Sequence, residues 1–522
     1  MPASAPAQPT GAPCLSAYGL RLAGWVVAAL CLFSFYYWVF PLETVNSDTA
    51  NALLAGQDMA LGNWRLHGWY LATDSYWGLD ELSYAIIWRL THDYAIALRL
   101  VPALQWTAFT CLAAYLGSHP RANLRAWLVL AAILLIPVFG HFTANLYFQA
   151  PYHIPTTLCM LATILLCDRI LSRRSRRGDW VIAVGLVAFD AAMSDPFYQF
   201  ILTLPLAFAL LRHWRQGGGW LLALYLGSVA LGVGAVYLNA QTGGFAHPTP
   251  IPGPTQLKDL PTALRSFFIA WFGILGCLPF GAAPGPMLLA FLRLPLIILT
   301  LRALWQALRH LFSLSFIDLC LLLLTLANIA AVTTTNSLID VTTERYLLPA
   351  WVGIAILTAR TLRPDRVISV YLAVVSLFSL IGCIAQVLAA TGPAPRFSTQ
   401  ETNYIASLEA RGLTRGYAGY WQASDTVVAT NGAIRVAALN PLNDGRIAPY
   451  QWFAKQDWYQ GDPTVEKFFI SLPVQDKSRA TALARFGKPE ESFVTKRDAP
   501  YEQDIVTYIF SGPLPPLEMR SP

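Results

Sequence analysis

Charge is scarce in this 522-residue chain: Asp, Glu, Lys and Arg together make up 13%, against 55% hydrophobic residues. An ordinary soluble domain holds about twice that share of charge, which excludes a soluble fold for the whole chain. Cysteine appears only as eight scattered residues, Cys14, Cys31, Cys111, Cys159, Cys167, Cys277, Cys320 and Cys383, mostly within apolar runs and never as CxxC. That pattern indicates neither a disulfide framework nor a zinc knuckle. GxxxxGKS/T, HExxH and GxSxG are all missing, so nucleotide hydrolysis, zincin proteolysis and a hydrolase triad lack support. The net charge of +6 comes largely from short arginine clusters between apolar runs, which report membrane orientation and argue against a nucleic-acid partner.

What the chain does have is apolar length. Mean hydropathy is +0.46, and a helix needs about 20 apolar residues to cross a hydrocarbon core. On that measure we expect about 11 spans, near 22–40, 94–117, 126–142, 153–171, 180–194, 197–213, 220–238, 284–304, 316–334, 346–361 and 368–391. The region 264–283 runs into Pro279, Gly281, Pro284 and Pro286 and reads as an interfacial or re-entrant piece. The first run follows a Pro/Ala-rich start with one basic residue, Arg21, and no clear cleavage site, so it reads as a retained helix. Arg121 and Arg125, then Arg173, Arg174, Arg176 and Arg177, then Arg212 and Arg215, Arg302 and Arg309, and Arg360, Arg363 and Arg366 occupy alternate connections. Those connections are expected on the cytoplasmic side. The opposite set holds the richer polar chemistry: 46–81, Asp195, 239–263 and 336–345.

The stretch Asn46–Glu81 organises the reading. It interleaves Asp48, Asp58, Asp74, Asp80 and Glu81 with Trp64, Trp69, Tyr70, Tyr76 and Trp77. Carboxylates among flat aromatic faces suit a polar ring-shaped ligand such as a sugar. Asp48 stands directly after the first span, where a carboxylate can take a proton from an acceptor hydroxyl. The same Asn46–Ser47–Asp48 also reads as a helix cap and its acidic first turn. Asp74 and Asp80 read either as turn and helix caps or, with Glu81, as ligands for sugar hydroxyls or a metal pair. The aromatics read either as an interfacial belt or as a sugar platform. His67 is a base, a ligand or a structural hydrogen bonder.

Further along, Asp190 and Asp195 interrupt an apolar run. Intramembrane acids usually face an interior or a watery cavity, although Asp195 before Pro196 also suits a cap. In NSLIDVTTERYLLPAW, Asp340, Glu344 and Arg345 end a span on the outer side. An arginine there grips a phosphate through its planar fork, or snorkels. Lys258 and Arg265 are further outer cations. No metal-ligand set is assigned from spacing, and a divalent cation is the one cofactor left open.

From about residue 395 lysines and amides appear and no spanning run remains. We read 1–394 as the membrane domain, with a first extracytoplasmic loop at 41–93, and 395–522 as a small extracytoplasmic α/β domain. Within it TQETNYIASLEARGL and SRATALARFG read as helices, DIVTYIFSG as a strand, and TVVAT–Asn431–Gly432–AIRVAAL as a hairpin.

A first span followed at once by an acidic outer loop, an interfacial helix ending in LRLVPAL, many further spans, an outer ERYLLP element and a C-terminal outer domain together resemble the GT-C glycosyltransferase superfamily. Protein O-mannosyltransferases and the lipid A aminoarabinose transferase belong to it. The resemblance implies a polytopic α-helical GT-C-like fold and a polyprenyl-phosphate sugar as donor. It also implies a first-loop acid as base, carried here onto Asp48 with Asp74 as competitor, since no adjacent Asp-Glu pair stands beside the first span. The expectation is inverting sugar transfer to a lipid, glycan or protein hydroxyl on the periplasmic face of a bacterial inner membrane. The N-terminus is then cytoplasmic and the C-terminal domain periplasmic. Arg345, with Lys258 or Arg265, would hold the departing phosphate, and His67, Trp69, Tyr70, Trp77, Asp80, Glu81, Asp195 and Glu344 would line the sugar and acceptor site. A lipid-linked oligosaccharide ligase or polymerase, and a non-enzymatic flippase, are the alternatives.

Overall fold

The computed structural model describes residues 14–39, 44–118, 124–137, 153–173, 178–246, 253–279, 284–335, 341–389, 396–441, 447–476, 479–497 and 503–519. Asp340, Gly281 and the arginines at 121, 174, 176 and 177 lie outside them. The chain is mostly helical, with a sheet near its C-terminus. Among the described residues, seven helices are long and apolar enough to cross a membrane: Leu22–Val39, Tyr94–Ser118, Ile154–Ser172, Gly218–Gln241, Pro284–Arg309, Phe316–Thr334 and Arg366–Ala389. Four further stretches read as spans form shorter helices, at Leu124–Leu135, Gly178–Ser194, Pro196–Arg212 and Leu348–Thr361.

Local chemistry explains where these helices start and break. Proline, which lacks an N–H, sits in the first turn at Pro196, Pro295 and Pro349, where no partner is needed. Pro295 also divides Pro284–Arg293 from Pro295–Arg309. Arg293 at that break is fully buried, its guanidinium donating to the Leu275 carbonyl at 2.8 Å and to Ser379 Oγ at 3.0 Å. At the opposite end of the bundle from Asp195, Arg360 pairs with Asp318 and donates to the Leu116 carbonyl at 2.9 Å. The piece 264–283 is a helix, Leu260–Ile274, that ends in a turn at Leu275–Gly276.

The C-terminal sheet has six strands. We label the strands of the whole chain β1 (Trp69–Tyr70), β2 (Arg415–Gly419), β3 (Arg435–Pro441), β4 (Ile447–Pro449), β5 (Ala454–Lys455), β6 (Lys467–Pro473), β7 (Glu491–Thr495) and β8 (Ile505–Ser511). The order is β4-β3-β2-β6-β8-β7, with β2 parallel to β3 and β6 and the remaining pairs antiparallel. Side chains alternate across it: Phe468 and Ile470 enter one apolar cluster with Tyr417, while Phe469 enters the other with Ala418 and Ile509, as the two-residue period of a strand requires.

The expected hairpin around Asn431–Gly432 is corrected. Tyr420–Ala429 is a helix that carries the chain from β2 to its parallel neighbour β3, because parallel strands need a crossover. Asn431 and Gly432 do adopt positive φ, 49° and 78°, but they close that helix, Gly432 donating to the Val427 carbonyl.

Several contacts tie the loop after the first span to the C-terminal region, among them the Val45 N–H on the Arg396 carbonyl at 2.7 Å. β1 pairs antiparallel with β5, Trp69 opposite Lys455 and Tyr70 opposite Ala454. The helix Ser47–Ala60 packs against both Leu82–Thr91 and Tyr420–Ala429.

Candidate active site

Asn46 caps the helix Ser47–Ala60, its side chain accepting from the Thr49 N–H at 3.1 Å. Asp48 is the acid of the helix's first turn, as the cap reading of Asn46–Ser47–Asp48 expects. Asp48 is half-buried, and each of its oxygens meets a group from a distant part of the chain. The Tyr420 hydroxyl donates to Oδ1 at 2.5 Å, and Arg345 Nη1 lies 3.7 Å from Oδ2. Side-chain exposures of 27% for Arg345 and 15% for Asp48 keep the pair within reach of solvent.

A second cluster forms where the first loop crosses the ends of two helices. Asp74, His153 and Asp195 bring one ligand atom each to within 4.8 Å of one another. His153 Nδ1 and Asp195 Oδ2 are 2.6 Å apart, Thr156 Oγ1 donates to the same oxygen at 2.6 Å, and Asp195 Oδ1 caps Pro196–Arg212 by accepting from the Phe197 N–H at 2.8 Å. Asp195 is therefore both the cap and the anchor of the histidine. Tyr76 donates to Asp74 Oδ2 at 3.3 Å. Burial and the Asp195 carboxylate push the Asp74 carboxyl up to about 7, against the lowering pull of His153, Arg345 and the Tyr76 hydroxyl. The charge on Arg345 thus bears on both clusters.

The backbone is strained at this spot. Tyr76 and His153 hold φ of 52° and 63°, a left-handed region that bulky residues avoid, and Tyr76 leads into a π-helical turn, Trp77–Glu81. Such outliers cluster at functional sites. The Tyr76 N–H is held by the Ser194 carbonyl at 2.7 Å, and the Gly78 N–H by Ser194 Oγ at 2.8 Å. Tyr76 stacks on Phe453 with ring centroids 6.3 Å apart, and His153 lies against Phe197 and Tyr346 at 4.7 and 5.2 Å.

The other expected site residues fall into different settings. Asp80 and Glu81 are fully buried in the π-helical turn. Gln105 donates to Asp80 Oδ1 at 3.1 Å, while Asp80 Oδ2 and both oxygens of Glu81 find no partner among the described residues. Burial pushes Asp80 up to about 7 and Glu81 well above the usual carboxylate range, because a charged carboxylate is disfavoured away from water. Glu344 is buried and raised for the same reason. Trp69 is 1% exposed and donates to Asp58 at 2.8 Å, and Tyr70 is buried in the β1–β5 pair; both, with His67, line the cavity beside the Asp74 cluster. Trp77 packs edge-on to Phe245. His67 Nδ1 is 2.6 Å from the Gly243 carbonyl. Lys258 and Arg265 are exposed, on a helical stretch that packs against the Val341–Leu347 turns.

Beside the Asp74 cluster opens a cavity of about 730 Å³, lined by Thr73, Ser75, Pro196, Gln199, Val236 and Tyr237 among others. Its walls come from the first loop and from Gly178–Ser194, Pro196–Arg212 and Gly218–Gln241. Thr73, Ser75, Gln199, Gln241 and Gln456 stand in it among Trp69, Tyr70, Val233, Val236 and Phe245, a mixed lining that suits an amphiphile.

Chemically, Asp74, His153 and Asp195 offer a mixed oxygen and nitrogen set that fits a divalent ion such as Mn²⁺ or Zn²⁺. His153 Nε2 is buried and without a partner among the described residues. His153, Tyr346 and Tyr420 were not singled out from the sequence. His153, just before the helix Ile154–Arg173, carried a usable signal, a histidine at the end of an apolar run away from its arginine cluster. Tyr420 carried none, because it arrives from 372 residues away.

No family model matches the chain, and no curated protein matches it. Among solved structures, the chain is similar to the oligosaccharyltransferase of Archaeoglobus fulgidus in its apo form, at 13% identity and a TM-score of 0.40, over 81% of this chain and 65% of that one. The chain thus spans about two thirds of the length of that enzyme.

Proposed function

We propose that the chain is an integral-membrane glycosyltransferase that takes a sugar from a polyprenyl phosphate at the extracytoplasmic surface. The observation that carries this reading is the meeting of Asp48 and Arg345 at 3.7 Å, a carboxylate and a guanidinium side by side at the end of the spans. In the reaction, the acceptor hydroxyl oxygen forms a bond to the anomeric carbon and passes its proton to Asp48. The bond from that carbon to the phosphate oxygen breaks with inversion, and Arg345 holds the phosphate that leaves. Arg345 suits this role because its planar fork matches a phosphate in two places. The 730 Å³ cavity supports an amphiphilic donor: its helix-lined side takes the start of the carrier chain and its loop side faces the headgroup. A divalent ion on Asp74, His153 and Asp195 would supply positive charge for the headgroup phosphate.

Asp48→Asn keeps size and hydrogen bonding but cannot take a proton. With a polyprenyl-phosphate sugar and the full-length protein in detergent, this variant is expected to lose about 10²–10⁴-fold in transfer rate while binding the donor normally. Wild-type rates in the variant would remove the base. A wild-type protein that moves the lipid across vesicles yet releases no polyprenyl phosphate is a flippase, and overturns the proposal.

A further inference from the structure

We propose that the C-terminal region completes this reaction centre, with Tyr420 as a positioning residue that fixes the Asp48 carboxylate; the inference rests on the reading of Asp48 as base. Asn46 caps the helix and Asp48 is the acid of its first turn, a place compatible with a second role for the carboxylate. The Tyr420 hydroxyl occupies Oδ1 at 2.5 Å, leaving Oδ2, which faces Arg345, to receive a proton.

The phenol is seated by polar contacts that allow little sliding. Ser47 Oγ donates to the Tyr420 carbonyl at 2.7 Å and lies 3.0 Å from Asp425 Oδ1. Ser424 Oγ donates to Asn51 Oδ1 at 2.6 Å, and Asn51 Nδ2 reaches the Tyr420 hydroxyl at 3.4 Å. Ser47, Asn51, Ser424 and Asp425 are all buried. An apolar contact tolerates a shift of register, but buried polar groups that lose alignment are left unsatisfied. The helix Tyr420–Ala429 is thereby locked onto Ser47–Ala60 in one position, and the Tyr420 ring is flanked by Tyr450 at 5.0 Å. Burial and the Asp48 charge push the phenol well above its usual range, which keeps it a donor across the working pH.

The test is Tyr420→Phe in the full-length protein, assayed for transfer from a polyprenyl-phosphate sugar beside Asp48→Asn and the double variant. The ring stays and only the hydroxyl goes. We expect kcat to fall about 10- to 100-fold, as for loss of a hydrogen bond to a charged group, with KM for the donor unchanged. The double variant should be no slower than Asp48→Asn alone. Unchanged kcat, a change in KM alone, or a double variant slowed by the full product of the two effects each overturns the positioning role. Should the phenylalanine variant fold poorly by its melting temperature, fluorotyrosine at position 420 strengthens the donor without altering packing. A changed kcat then supports the proposal and a wild-type kcat overturns it. An active Asp48→Asn removes the base reading and this inference together, whereas an inactive Asp48→Asn with a wild-type Tyr420→Phe removes only the role of Tyr420.

Discussion

Glu401 offers a stability test that needs no substrate. Ser398 caps the helix Thr399–Glu409, with Glu401 at its third position, an arrangement in which a glutamate usually turns back to the cap N–H. Here Glu401 accepts from Thr426 Oγ1 at 2.7 Å and is only 6% exposed. Burial pushes its carboxyl up from 4.5 to about 8, and Glu401 in turn adds to the rise of buried Asp425. Since the folded value lies above the unfolded one, the folded state holds the proton more tightly. The contribution is complete below about pH 4.5 and is lost as pH rises towards about 8, at up to about 1.4 kcal/mol per unit for one proton. Across the window this is a few kcal/mol at most. Glu401→Gln carries no charge and its amide oxygen still accepts from Thr426. The full-length variant in detergent should therefore match wild type near pH 5 and melt at a higher temperature near pH 8, read by tryptophan fluorescence. The difference between the two proteins reports Glu401 together with its effect on Asp425, which the Glu401 charge also raises. A difference that stays flat from pH 5 to 8, or a wild type that is the more stable at pH 8, refutes the reasoning.

Two further outcomes follow from the geometry. A Cβ on Gly56 would lie 2.6 Å from Tyr84 Cβ, 2.8 Å from the Glu81 carbonyl oxygen and 2.9 Å from the Ala85 nitrogen. None of these is a flexible tip, so Gly56→Ala should cost about 1–3 kcal/mol and lower the melting temperature; an unchanged melting temperature would show that the two helices separate freely. Titration calorimetry with Mn²⁺ and Zn²⁺ at pH 8 should show one saturable site, weakened at least about tenfold in Asp74→Asn and in His153→Ala; no saturation in wild type would limit Asp195 and His153 to a hydrogen-bonded pair.

The helices were legible because a hydrophobic run long enough to span is a local signal. Arg345 and Asp48 were legible for a similar reason: both are charges set at the ends of apolar runs, where an uncompensated charge is costly enough to need a reason. The aromatics were legible in part. Trp69, Tyr70 and Tyr76 stand out in the sequence, and the first two line the cavity, whereas Phe197 and Tyr346, which flank His153, and Phe453, which stacks on Tyr76, come from distant segments. No local pattern separates an aromatic that packs from one that lines a site. Tyr420–Ala429 misled for another reason: Val427 and Val428 beside Asn431–Gly432 carry strand and turn preferences, and only the parallel pairing of β2 with β3 calls for a crossover helix there. Preferences of that size, below about 1 kcal/mol per residue, yield to tertiary packing.

The seam between Ser47–Ala60 and Tyr420–Ala429 also orders events in time. Its earlier half emerges from the ribosome and enters the bilayer while some 372 residues separating Asp48 from Tyr420 are still to be made. Until the last segment arrives, Ser47, Asn51 and their neighbours must remain hydrated or borrow other partners. A chain cut short after its final span would then insert normally and still lack a finished mouth, which makes biosynthesis itself a checkpoint on when this protein can begin to work.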